Sequence, residues 1–220
     1  MLGRLTSDPD RPGARPGRGA SSLALVGLVA AALAAAPPVG ATDGDLLDPP
    51  VSVAQVPTPS LAYGAATSGD LAAVATHAAG LILLDLADPA SPQVRGTADT
   101  PGFARNSAWR GDLVLVADRG AGLRVIDASE AQAPVEIGAA PVPGLALSVA
   151  TLGEALAVVP AKLAGLHVVD VGDPGAPVLR GVLDTGGLAS DVVVQGSLAY
   201  VADYGGGVVV ADVADPDAPL

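Results

Sequence analysis

The sequence predicts an all-β protein assembled from small four-stranded antiparallel sheets. Three observations predict it: a motif recurring about every 42 residues, strands that are apolar at successive positions, and dense punctuation by 28 glycines and 20 prolines. Long helices are disfavoured by that punctuation, and no stretch shows sustained 3.6-residue periodicity.

The recurrence comes first. Gly80-Leu-Ile-Leu-Leu-Asp85, Gly122-Leu-Arg-Val-Ile-Asp127, Gly165-Leu-His-Val-Val-Asp170 and Gly207-Val-Val-Val-Ala-Asp212 share one pattern. Their closing aspartates are spaced 42, 43 and 42 residues apart, and seven residues after each stands Pro92, Pro134, Pro177 or Pro219. Another series, Ser68-Gly-Asp-Leu, Arg110-Gly-Asp-Leu, Leu152-Gly-Glu-Ala and Gln195-Gly-Ser-Leu, keeps step with the first. Three landmarks in one register define a repeat, dividing the chain into units 51–92, 93–134, 135–177 and 178–220.

Each unit resolves into short strands. Asp191–Gln195 and Leu198–Ala202 flank Gly196-Ser197, and glycine at the first central position suits a type II′ hairpin, which needs positive φ there. Asp203-Tyr-Gly-Gly-Gly207 turns the chain again, Val208–Val213 forms a third strand, and Asp215-Pro216 stops it. A fourth stretch follows the proline in earlier units: Gln93–Thr97, Val135–Gly138 and Val178–Val182. The aspartates that close the third strands are expected to accept backbone N–H bonds in the turn beyond.

Packing follows from polarity. Runs such as Leu113–Ala117 and Val208–Ala211 lack alternation, so both faces of those strands are covered. The fourth strand carries Arg95, Glu136 or Arg180 behind a proline, the way an outer edge is blunted against further pairing. A sheet covered on both faces and polar along one edge is a blade of a β-propeller.

The Gly-Leu-x-Val-Val-Asp-Val core, the Asp-Pro-x-x-Pro turn, the Thr-Pro-Gly or Thr-Gly-Gly turn and the Ala-Tyr-Val-Ala-Asp strand resemble the LVIVD-repeat β-propeller family. Leu166–Val171, Asp173-Pro174, Pro177, Thr185–Gly187 and Ala199–Asp203 carry the resemblance most fully, and it covers residues 51–220. It implies the propeller fold and an exported protein, and no particular activity. Glu130-Ala131 departs from Asp-Pro, and Val159-Pro160 from Val-Ala.

About four blades are expected. Either Val51–Val56 completes the last blade as a clasp, or the chain is a fragment of a larger propeller of about six to eight blades. The fragment reading is preferred, because four-bladed rings are uncommon, and an unclosed array would expose an apolar blade face that invites association.

The N-terminus reads as an export signal. Arg4, Arg11, Arg15 and Arg18 precede the 14-residue apolar run Leu23–Ala36, and Val39-Gly-Ala41 suits cleavage after Ala41. The run is short for a span, which takes about 20 residues, and no second one follows. A signal peptide (1–41), a spacer (42–50) and a periplasmic, cell-surface or secreted destination are therefore expected. With no cysteine, the exported chain has no disulfides and no thiolate metal site.

Charge narrows the partners. The leader holds four of the 11 basic residues and two of the 23 acids, leaving 7 bases against 21 acids, a formal net charge of −14. Such a surface repels phosphate backbones, so nucleic acid is not an expected partner. Calcium-loop chemistry at Asp43-Gly-Asp45-Leu-Leu-Asp48 lacks the later glycine and glutamate.

Catalytic signals are sparse. His77 and His167 fall at non-equivalent repeat positions, which rules out a symmetric metal ring, and no His-x-His, His-Glu-x-x-His or Gly-x-Ser-x-Gly pattern is present. Gly120-Ala-Gly122 and Gly205-Gly-Gly207 precede no helix that could hold a phosphate. No catalytic residue, metal or cofactor is assigned. Two sets of positions are candidates for ligand binding instead. Asn106, Ser148 and Asp191 align near the start of the first strand, at the channel mouth, with Gly64 as their fourth equivalent. His77, Arg119, Lys162 and Tyr204 align in the link between second and third strands, on one rim. Basic and aromatic side chains on an acidic molecule suit an acidic or carbohydrate-like ligand. The expected role is a non-catalytic binding or scaffold module meeting protein or carbohydrate at the cell surface. The alternative is a lactonase-like, metal-dependent propeller hydrolase, for which only Asp191 and Asn106 stand in register.

Overall fold

A computed structural model describes residues 52–220; the leader, the spacer and Val51 lie outside the described residues. Four antiparallel sheets follow one another along the chain, with strands hydrogen-bonded in chain order. Blade 1 comprises β1 (Gly64–Ser68), β2 (Leu71–Ala75), β3 (Leu81–Asp85) and β4 (Gln93–Ala98). Blade 2 comprises β5 (Asn106–Arg110), β6 (Leu113–Ala117), β7 (Leu123–Asp127) and β8 (Val135–Ala140). Blade 3 comprises β9 (Ala150–Leu152), β10 (Leu156–Pro160), β11 (Leu166–Asp170) and β12 (Val178–Leu183). Blade 4 comprises β13 (Asp191–Gln195), β14 (Leu198–Ala202) and β15 (Val208–Asp212), and the amide and carbonyl of Asp212 both bond to Leu220 as a fourth strand would. Each sheet therefore takes its outer strand from the stretch after the proline, so blades end near 98, 140 and 183, out of phase with the sequence units.

The local devices match the expected chemistry. Gly69, Gly111 and Gly196 open two-residue hairpins at φ of 55°, 57° and 62°; Gly153 opens a three-residue turn at 60°. Asp85, Asp127, Asp170 and Asp212 each accept the backbone N–H two residues on, at 2.8–2.9 Å.

The core lies between blades. Leu81 and Leu83 of blade 1 meet Val114, Val116 and Ile126 of blade 2, whose opposite face, Leu115, Leu123 and Val125, meets Ala157, Val159 and Val169 of blade 3. Val158, Leu166 and Val168 of blade 3 then meet Val192, Ala199 and Val201 of blade 4. Polar contacts cross the same junctions, with Trp109 Nε1 donating to the Ala66 carbonyl and Ser107 Oγ to that of Ala73, both at 3.0 Å. The outer strands shift register opposite Gly96, Gly138 and Gly181. Those three glycines are where the next blade's turn comes closest, and an added Cβ would collide with Ala131, Pro174 or Pro216 carbonyls.

The two ends of the array differ. Residues 52–63 form no strand and place Val56 on the outward face of blade 1, against Ala72, Val74, Ile82 and Leu84. The first described residues thus lie on the first blade, and the clasp reading of Val51–Val56 finds no support in the described part of that segment. On blade 4 the face turned away from blade 3 carries Val193, Val208 and Val210, which are 64%, 69% and 54% exposed.

Candidate functional site

One end of the blades carries both predicted sets of residues. β2–β3 links and the connectors between blades emerge there, and the inner strands β1, β5, β9 and β13 stand side by side. Asn106, Ser148 and Asp191 come together at the mouth of the inner strands. Asn106 Nδ2 donates to Ser148 Oγ at 3.0 Å, and Ser148 Oγ donates to Asp191 Oδ1 at 2.7 Å. Ser148 is buried while Asp191 is exposed, so the row runs from the interior towards solvent. Gly64 completes the series because a Cβ there would stand 2.8 Å from Asn106 Cα.

The rim positions share a backbone state. His77, Arg119, Lys162 and Tyr204 hold φ of 50°, 50°, 55° and 44°, the only described non-glycine residues with positive φ. A side chain in that region costs roughly 1–2 kcal/mol that glycine would not. Two backbone bonds hold each of the first three: His77 exchanges both with Ala104, Arg119 with Ala146 and Lys162 with Ala189, at 2.9–3.2 Å. The chain maintains large side chains in this conformation on four successive blades.

Around His77 the rim becomes aromatic. The imidazole stacks on Phe103 with centroids 4.4 Å apart and lies 5.5 Å from Tyr63, while the Arg105 guanidinium sits 4.1 Å over the Tyr63 ring. Tyr63 and Phe103 are both nearly half exposed. Sequence reasoning missed Tyr63, Phe103 and Arg105. The signal was available, since Tyr63 and Arg105 occupy one repeat position and Phe103 shares another with Leu145. A groove of about 460 Å³ continues from Phe103 past Pro101 and Gly102 to Arg119, Ala121 and Leu145.

The cations sort by location. Arg95 pairs with Asp85, Arg180 with Asp170 and Asp217, and Arg124 with Glu136 and Asp118. Arg110 donates to the Glu154 and Val171 carbonyls beside a cavity of about 710 Å³ at the opposite end. Only Arg105, Arg119 and Lys162 make no ion pair or hydrogen bond of their side chains among the described residues, and all three stand on the rim.

Beneath the rim lie two buried aspartates that sequence reasoning also left out of the site. Asp118 accepts from Thr100 Oγ1 and the Gly102 amide at 2.8 Å, and burial raises its pKa above the usual carboxylate value. Asp203 accepts from Thr185 Oγ1 at 2.9 Å, with Oδ2 unpartnered. They join the Thr-Pro-Gly and Thr-Gly-Gly turns to the end of the second strand, a supporting role. His167 is buried in β11, and burial holds it below the usual imidazole value. Among the described residues no three His, Asp or Glu side chains gather as metal ligands.

Four stacked four-stranded-type sheets around common inner strands define a β-propeller-class repeat protein. The chain belongs to the LVIVD repeat family, whose pattern matches residues 62–100, 101–140, 143–185 and 186–220. No curated protein matches it. Among solved structures it is similar to the computationally designed Ika4 protein (TM-score 0.60, 12% identity, 74% of this chain and 98% of that one). It is also similar to the designed Ika8 protein (0.56, 12%, 68% and 45%) and to a functionally unknown protein from Desulfotomaculum acetoxidans (0.62, 15%, 76% and 56%). The chain thus spans nearly all of the first and about half of the other two.

Proposed function

We propose that this chain is an exported binding module whose rim captures an acidic carbohydrate at the cell surface. The observation that supports the reading is the distribution of cations: on a molecule dominated by acids, the unpaired guanidinium and ammonium groups of Arg105, Arg119 and Lys162 share one rim with Tyr63, His77 and Phe103. Aromatic faces stack on sugar rings, and unpaired cations attract carboxylates without first breaking an ion pair. The positive-φ geometry adds weight, because backbone strain maintained at four rim positions points to a use for the side chains. Asp191 and Asn106 at the channel mouth would accept and donate hydrogen bonds to ligand hydroxyls. Export rests on the basic leader and its apolar run. Among the described residues no helix is long and apolar enough to cross a membrane.

Calorimetric titration with oligogalacturonate, and with a neutral galactan as control, tests the reading. Binding of the acidic oligomer that weakens with salt, and that falls at least about tenfold in Arg119→Ala/Lys162→Ala, is the expected result. Equal affinity for both sugars overturns the role of charge in the reading, and no affinity for either overturns the carbohydrate assignment.

A further inference from the structure

We propose that the acidic sugar captured by the rim is a lipid headgroup and that Leu163 enters the membrane beneath it, so that the blades stand end-on upon a lipid surface. The inference rests on the carbohydrate reading of the same rim and names the form in which the sugar is met. What carries it is a side chain that sugar binding does not use. Leu163 is 82% exposed. It sits at the outermost point of the β10–β11 link, where the Ala164 amide donates to the Ala161 carbonyl at 3.2 Å and leaves Lys162 and Leu163 as the two central residues of a turn. The turn does not ask for leucine: its repeat equivalents are Ala78, Gly120 and Gly205. Blades 2 and 4 pack on either side of blade 3, so the exposure is that of a tip and not of an uncovered face. An aliphatic tip has no ring to stack on a sugar, and what accepts it is hydrocarbon.

Around Leu163 the rim repeats one pairing of apolar and polar groups at each internal junction. The backbone exchanges of His77 with Ala104, Arg119 with Ala146 and Lys162 with Ala189 bring up Phe103, Leu145 and Leu188, the residues just before those alanines. Phe103 stacks on His77, and Leu145 lines one groove with Arg119. A surface that settles into a membrane interface is built this way: apolar side chains sink below the headgroups while Lys and Arg stay level with the anionic groups. A soluble polysaccharide needs the cations and the rings; only a lipid layer needs the leucine as well. Charge on the remainder of the molecule fixes the orientation. Away from the rim, Arg95, Arg110, Arg124 and Arg180 are all tied to carboxylates or backbone carbonyls and acids dominate, so an anionic surface attracts the rim and repels the sides.

Vesicle flotation on residues 51–220, the compact unit without the apolar run Leu23–Ala36, is the test. Phosphatidylcholine vesicles are compared alone, with glucuronosyl diacylglycerol, and with phosphatidylglycerol at the same charge density. The glycolipid vesicles should be bound most tightly and the neutral ones not at all. Leu163→Ala, which copies Ala78 and so keeps the turn, should weaken binding to glycolipid vesicles at least about fivefold while leaving calorimetric affinity for oligogalacturonate unchanged. Leu163→Trp should strengthen vesicle binding, with indole emission moving to the blue when vesicles are added. Oligogalacturonate bound by a chain that ignores the glycolipid vesicles overturns the membrane proposal and leaves the carbohydrate reading standing, as does a Leu163→Ala variant that holds vesicle and sugar as the parent does. A Leu163→Ala loss shared equally by vesicle and free sugar places the leucine in the sugar site and overturns its insertion. Phosphatidylglycerol vesicles bound as tightly as the glycolipid ones, with no affinity for oligogalacturonate, overturn the sugar headgroup and with it the reading beneath.

Discussion

Replacing Gly138 with alanine tests the stacking of blades at one atom. Gly138 lies in β8 at the register shift, and the turn that follows β11 presses on it. A Cβ there would stand 3.1 Å from Pro177 Cδ and closer still to the Pro174 carbonyl oxygen, which belongs to backbone and cannot rotate away. In an unobstructed strand, Gly→Ala stabilises by about 0.4–1 kcal/mol through the unfolded chain. Here overpacking costs about 1–3 kcal/mol, so the sign reverses. At about 2–4 °C per kcal/mol for a chain of this size, the melting temperature should fall by about 4–8 °C for a 2 kcal/mol loss. Gly205→Ala is the control: nothing lies within 4 Å of its Cβ and its φ is not positive, so it should stay within about 0.5 kcal/mol of the parent. Thermal melts followed by circular dichroism compare the two. A Gly138→Ala variant as stable as Gly205→Ala would refute the close approach of blade 3 to blade 2.

The other expectations need less working. His167 is held below its ordinary pKa by burial, so the folded state disfavours its proton; stability should be complete above about pH 6.5 and decline as pH falls below that value. His167→Val, the residue that blade 4 carries as Val209, should flatten denaturant-derived stability between about pH 7 and pH 5, and an unchanged slope would exclude His167 as the cause. Lys162→Gly should keep or raise stability by about 0–1 kcal/mol, as glycine suits its φ of 55°, while weakening acidic-sugar binding; a large loss of stability would show that the side chain serves the fold. Thr100→Val should destabilise by about 1–3 kcal/mol in chemical denaturation, because Asp118 is buried and would lose the hydroxyl at 2.8 Å. An effect below about 0.5 kcal/mol would mean that the Gly102 amide and the Arg124 guanidinium satisfy the carboxylate without the hydroxyl.

Blades were legible in the sequence because their devices are local. Gly69, Gly111 and Gly196 announce hairpins through a backbone demand, and Asp85 or Asp170 announces a turn through a bond two residues away. Alignment across the repeat also placed Asn106, Ser148 and Asp191 together, since equivalent positions of adjacent blades meet at the centre. Contacts made between repeats left weaker traces. Gly96, Gly138 and Gly181 read as ordinary strand glycines until the next blade's carbonyl is seen against them. Tyr63 and Phe103 flank His77 through a fold that brings residues 14 and 26 positions away onto one rim, a separation with no local signature. Val56 was read as part of an outer strand because an apolar residue before a repeat carries no mark of which face it will cover.

The rim residues are also latches. His77, Arg119 and Lys162 each spend their own backbone amide and carbonyl on the following blade, so the atoms that hold neighbouring sheets together belong to the residues whose side chains the proposed ligand would meet. A sugar bridging Arg119 and Lys162 would brace two latches at once, tightening the array as it fills. Occupancy should then slow deuterium uptake at the amides of Ala146 and Ala189, which report directly on those clasps opening.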